Sequence, residues 1–354
     1  MSASAHPARN RAMAVDAAAA APAADGAAPR TGRGPSARSA LALIKISPTR
    51  RAIVQPCDTV PPLRAPPIGG IAMQNQTMLF LMTEGTPDTE INQMADLAAA
   101  QNARLICFDM ALLPPQPMDA SGGFPYVGLE ISAEWVRQIN SLRSTLADRA
   151  NALEQVLQRA GCPGDVQTAL HAQSDMRAAV ARRALASDIA VMASNLRDAD
   201  DGLFRLASYG VLFDAPIPLL MNAAPLTLPK RVLVAWDGEL PAARAVHAAL
   251  PYLVRADDVI IVSFDPDTVD GAEGENPGSE LATWLSHHGC SVTVAAYPSG
   301  GQEIGAALQA RAAELGADLV VMGAFGRSRL HELVFGGTTR TMLEQSRTPV
   351  LMAH

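Results

Sequence analysis

Apolar residues in this chain come in short continuous runs, separated by stretches in which they recur at helical spacing. The first run, TMLFLMT at Thr77–Thr83, is unbroken, as expected of a strand buried on both faces. Pro87 and Asp88 then open a helix predicted to reach about Ala103, and RLICFDM at Arg104–Met110 reads as a second strand. A Pro-rich loop leads into a long helical pattern from about Ser132 to Ala160, ended by Cys162, Pro163 and Gly164. VQTALHA, SDIAVMA and Ile217–Met221 follow as strands, with helices predicted over Asp175–Ala186 and Gly202–Tyr209 between them.

The same order then recurs. Strands are predicted at Arg231–Asp237, Asp258–Phe264, SVTVAAY, Asp318–Met322 and Pro349–Met352. Helices are predicted over Pro241–Leu253, Glu280–His288, Gln302–Leu315 and Thr338–Gln345, with a short amphipathic turn at Ser328–Phe335. Residues SDIAVMAS match ADLVVMGA at an offset of 130, IPLLM matches TPVLM at 131, and TMLFLMTEG matches RVLVAWDGE at about 153 when Glu84 is set against Asp237. The mismatch in offsets is assigned to roughly twenty extra residues in the first copy's Pro-rich loop and long helix. Strands alternating with helices, in two copies, give an α/β protein of two tandem doubly wound parallel-sheet units over residues 74–225 and 229–354.

The chemistry gathers in the last 37 residues, Asp318–His354. There a strand is followed by Gly323 and Gly326, then by Gly336 and Gly337, then by a helix. Glycines let the main chain approach a phosphate closely, and a helix opening just after them aims unpaired N–H groups at the same point. Thr338 and Thr339 can add hydroxyls, and Arg327 and Arg340 positive charge. At the end of the Arg231–Asp237 strand, Asp237 is a candidate acceptor for an adenine or ribose group, since ligands of open parallel sheets sit at the carboxyl ends of strands. Ala235, Trp236, Val262 and Met322 are candidate walls for a base. Two bland alternatives stand beside these readings: Asp237 as a helix N-cap, and glycines that only permit tight turns.

The spacing G-x2-G-x9-G resembles the nucleotide-binding signature of the universal stress protein family. In that family a Ser or Thr follows the last glycine; here Gly337 holds that place and Thr338 comes one residue later. The resemblance implies flavodoxin-like units of the adenine nucleotide alpha hydrolase type. It implies ATP or AMP as ligand, with or without Mg2+, and an adenine-side contact at the Asp237 position. It also implies pairing through the last strands, either as an intramolecular pseudo-dimer or as a homodimer, a role in stress response, and a cytoplasmic location. The first copy departs from the pattern. MASNLRDADDGLFRLASYG has Ala193 in place of the first glycine and Asp198, Asp200 and Asp201 where a phosphate would be repelled, so it is expected to be degenerate.

Charge and composition narrow the alternatives. The formal net charge is −7, but residues 1–72 carry nine Lys/Arg and three Asp/Glu, which leaves an acidic remainder and a poor nucleic-acid partner. That leader is rich in Ala, Pro, Gly and Arg and is expected to be disordered, SALALIKI being its one apolar island; otherwise translation begins at Met73. No apolar run reaches 18 residues, so no membrane span is expected. Cys57, Cys107, Cys162 and Cys290 lie far apart and are read as free thiols, and His287 and His288 beside Cys290 as a solvated helix end. No hydrolase elbow, zinc-protease or Walker motif occurs, so no catalytic residue is assigned and slow ATP hydrolysis is the most enzymatic reading. A ligand-free scaffold for an unidentified protein partner stays open as the other class.

Overall fold

The computed structural model describes residues 44–45 (as backbone), 76–116, 132–223, 227–265, 278–325 and 337–354. The expected runs of unbroken apolar residues are strands: β2 (Thr77–Met82), β3 (Arg104–Leu112), β4 (Gly164–His171), β5 (Ile189–Met192) and β6 (Leu219–Met221). In the second half they are β7 (Arg231–Ala235), β8 (Asp258–Phe264), β9 (Val292–Tyr297), β10 (Leu319–Gly323) and β11 (Val350–Ala353). Between them lie α1 (Asp88–Ala100), α2 (Ala133–Arg159), α3 (Gln173–Ala184), α4 (Leu196–Ala199) and α5 (Asp201–Asp214). The second-half helices are α6 (Leu240–Leu253), α7 (Ser279–His287), α8 (Ile304–Leu315) and α9 (Gly337–Gln345). Within the leader, Ile44–Lys45 form a two-residue strand, β1, antiparallel to the edge of β9. The Ser328–Phe335 turn lies outside the described residues.

All strands join one sheet in the order β1-β9-β8-β7-β10-β11-β6-β5-β2-β3-β4. Each five-strand half is parallel and has the internal order 3-2-1-4-5, a doubly wound, Rossmann-type α/β arrangement. The halves meet where β11 runs antiparallel to β6, with Leu351 opposite Leu220. Ladder registers show how the copies correspond. Thr77 pairs with Arg104 as Arg231 pairs with Asp258, and Leu81 pairs with Phe108 as Ala235 pairs with Val262. That correspondence sets Thr83, not Glu84, against Asp237, so the sequence alignment slipped by one residue, enough to turn a side chain to the other face.

Both faces are sealed, which is why the strands carry so little polar residue. Met78, Phe80 and Met82 face α1 and α2, while Val234, Ile261 and Val321 face α6 and α7. Leu79, Leu81, Val262 and Met322 face α3, α5, α8 and α9. The first half's extra helix, α2, buries Ile139, Leu146, Leu153 and Leu157, a sevenfold spacing for its first three members that lays one seam along the sheet. Helix α5 runs five residues beyond its predicted end. Gly210, which looks like a breaker, is there because a Cβ would come within 2.7 Å of the Arg177 carbonyl oxygen on α3.

Candidate functional site

In an open parallel sheet a crevice forms where consecutive helices leave to opposite faces, and in the second half that point lies between β7 and β10. Helix α6 leaves β7 toward one face and α9 follows β10 on the other. Ala235 ends β7 beside Val262 of β8, and Met322 and Gly323 end the neighbouring β10. Asp237, two residues past β7, therefore stands on the same rim as Gly323. Ala235, Val262 and Met322 share the α8/α9 face, whereas Trp236 packs toward α6 and α7 on the other side. Ala235 and Trp236 thus do not wall one slot, because neighbouring strand residues point in opposite directions. Gly326, Arg327 and Gly336 lie outside the described residues.

Asp237 is exposed, and its Oδ1 accepts from the Glu239 N–H at 2.9 Å, a local turn that starts α6. Gly323 has a packing reason of its own. A Cβ there would come within 2.4 Å of the Ala242 nitrogen and 2.7 Å of the Pro241 carbonyl carbon, so the glycine lets the start of α6 press on β10. Thr339 is buried, and its hydroxyl accepts from the Phe325 N–H at 3.0 Å, tying the loop to α9. Thr338 is partly exposed at the start of the same helix. Gly337 lies against Glu303, whose carboxylate caps α8 by accepting from the Ala306 N–H at 2.9 Å.

The residue just before Gly326 was not anticipated from the sequence. Phe325 adopts a left-handed φ of 56°, which a bulky side chain holds only when its surroundings over-determine it. Its ring packs 4.3 Å from that of Phe213 and edge-on to Tyr209, both on α5 of the first half. Behind it, Nδ1 of His354 meets the Ala324 carbonyl oxygen at 2.8 Å. The loop's entry is thus gripped by α5, α9 and the end of β11, contacts with no signature in a one-dimensional pattern.

The equivalent crevice of the first half, between β2 and β5, is bridged by the chain's own side chains. Glu90 on α1 accepts from the Ser194 N–H at 2.9 Å and from its hydroxyl at 2.6 Å, and Thr86 Oγ1 donates to Asn195 Oδ1 at 3.1 Å. Arg149 of α2 donates to the Thr83 carbonyl oxygen at 3.0 Å and to that of Glu84, and its Nε lies 3.1 Å from Asp109 Oδ2. The acidic residues after β5 have structural partners. Asp200 caps α5 by accepting from the Leu203 N–H, Asp201 pairs with Arg205 at 2.9 Å, and Asp198 lies 3.9 Å from Arg347.

Cys107, Cys162 and Cys290 are free and buried, and burial pushes the Cys107 thiol up to about 12 and that of Cys290 up to about 11. Cys57 lies outside the described residues. His247 packs tilted on Trp284 at 4.6 Å between centroids, and His288 meets the same ring edge-on at 4.5 Å. Among the described residues no group of three His, Cys, Asp or Glu is placed to hold a metal, and no helix is long and apolar enough to cross a membrane.

Residues 299–354, which contain β10, the loop, α9 and β11, match the universal stress protein family model. That match covers the last 56 residues and makes this part of the chain similar to the family. Among solved structures, a universal stress protein from Archaeoglobus fulgidus DSM 4304 is 18% identical, with a TM-score of 0.53 over 80% of this chain and 98% of that one. A protein of the universal stress protein family from Burkholderia pseudomallei is 16% identical over 41% of this chain and 93% of that one, with a TM-score of 0.29. A universal stress protein solved in complex with cAMP is 24% identical over 36% of this chain and 98% of that one, with a TM-score of 0.30. At these identities the likeness bears on the fold alone, and it is the first that carries it. No curated protein matches the chain by sequence.

Proposed function

We propose that the C-terminal unit binds an adenine nucleotide, ATP or AMP, over the carboxyl ends of β7 and β10, and that the chain acts as a nucleotide-dependent regulatory protein of stress response. In this reading residues 74–225 form a degenerate unit and residues 229–354 the competent one. The observation that carries it is the contrast between the two switch points. One has Asp237, Gly323 and the start of α9 on a common rim, and the other is stitched by Glu90, Ser194, Thr86 and Asn195. The base would lie on Ala235, Val262 and Met322, with Asp237 accepting from its amino group or from the ribose. The phosphates would meet the loop of Gly326, Arg327 and Gly336 and the N–H groups opening α9 at Gly337 and Thr338. Thr339 serves as the tie that holds the loop's entry to the helix. The domain of known structure that holds cAMP makes adenine chemistry a reasonable choice of ligand.

The test is equilibrium titration of ATP and AMP against the full chain and its Asp237→Ala variant. A loss of about tenfold in affinity is expected on removing the carboxylate. Equal binding by both proteins would remove Asp237 from the site, and no binding by either would leave the scaffold reading. Phosphate release that follows the chain through purification and vanishes in the variant would instead identify a hydrolase.

A further inference from the structure

A cavity of about 540 Å³ lies at the seam between the two halves, and none of its lining residues is among those assigned to the nucleotide. Its floor and walls come from the end of α5, the turn entering β6, the first turns of α6 and the end of β11. Phe213, Pro216, Ile217 and Ala248 make it largely apolar, and its volume is in the usual range for small-molecule sites.

The polar groups converge from one side. Arg244 Nη1 donates to the His354 main-chain oxygen at 2.9 Å, which fixes the guanidinium at the wall, and His247 stands one turn behind it on α6. The His354 ring is fixed in turn by Ala324 and lies edge-on to Phe213, 5.3 Å between centroids. The Asp214 carboxylate in the lining is already matched by Arg177, with Nε at 2.7 Å and Nη2 at 2.9 Å. In a folded body with an excess of acidic residues, this cavity therefore presents a guanidinium and two imidazoles beside hydrocarbon. We propose that it is a second ligand site, for a small amphipathic organic anion. The carboxylate or sulfonate sits on the remaining N–H edge of Arg244, and the hydrocarbon body lies against Phe213, Pro216 and Ile217.

The probe is 1-anilinonaphthalene-8-sulfonate, titrated by fluorescence into the full chain, with decanoate as a non-fluorescent competitor. The expected result is saturable binding of one probe per chain, displaced by decanoate and unchanged by saturating ATP. Arg244→Gln should weaken it about tenfold, and Ala248→Trp, which fills the cavity, should abolish it while far-ultraviolet circular dichroism stays native. If Ala248→Trp unfolds, Arg244→Gln and decanoate competition decide alone. Binding that is unsaturable, indifferent to Arg244→Gln, or displaced by ATP overturns the proposal. Because ATP is a separate arm, failure here is distinguishable from failure of the nucleotide site.

Discussion

Asp109 offers a stability test whose sign is fixed by the structure. Its carboxyl is fully buried within β3, between Met82 of β2 and Thr168 of β4. Arg149 approaches to 3.1 Å, but neither carboxylate oxygen has an aligned hydrogen bond. Burial therefore dominates, Arg149 opposes it, Glu84 adds to it, and the group is raised from 3.8 to about 6. A carboxyl raised on folding contributes stability that is fully present below about pH 3.8 and is lost as pH rises through about 6. Integrated over that window the loss is about 3 kcal/mol, of which about 1.4 kcal/mol falls between pH 5 and 7.5. Asp109→Asn keeps the shape and removes the titration. Urea unfolding of both proteins at pH 5 and at 7.5 should show the variant gaining about 1–1.5 kcal/mol on the wild type as pH rises. No change in that difference, or a gain by the wild type, would mean that Arg149 outweighs burial and that the reasoning is wrong.

Gly323→Ala drives a methyl into the backbone of Pro241 and Ala242, so urea unfolding should show a loss of about 1–3 kcal/mol, and an unchanged midpoint would contradict the packing role. Glu90→Ala strips Ser194 of both its hydrogen bonds and should lower stability by about 1–3 kcal/mol by the same measurement. Phe213→Ala removes the ring that holds Phe325 in its left-handed conformation; ATP affinity should fall about three- to tenfold by calorimetry, and unaltered affinity would show that α5 does not set the loop.

Most strands were legible because they are short apolar runs, and a sheet covered on both faces admits little else; β4, GDVQTALH at the sheet edge, is the polar exception. Offsets of 130 and 131 between the copies reappear in the ladders, where Ala190 pairs with Leu219 as Val320 pairs with Val350. What the sequence hid was three-dimensional. The link from Glu90 to Ser194 spans more than a hundred residues and turns on a single hydrogen-bonded pair. Gly323 was singled out for phosphate approach, yet its nearest neighbours are the backbone of α6. Phe325 carries no mark in the glycine spacing, because its strain comes from partners on α5 and α9. Ile44–Lys45 sit in a segment whose composition argues for disorder, and pair because β9 offers an open edge.

The central claim is that one switch point is competent for an adenine nucleotide and the other is closed by its own side chains. Calorimetric titration of ATP into the full chain, freed of copurified nucleotide, counts the sites directly. The account predicts one equivalent per chain, whereas two equivalents, or none, would contradict it.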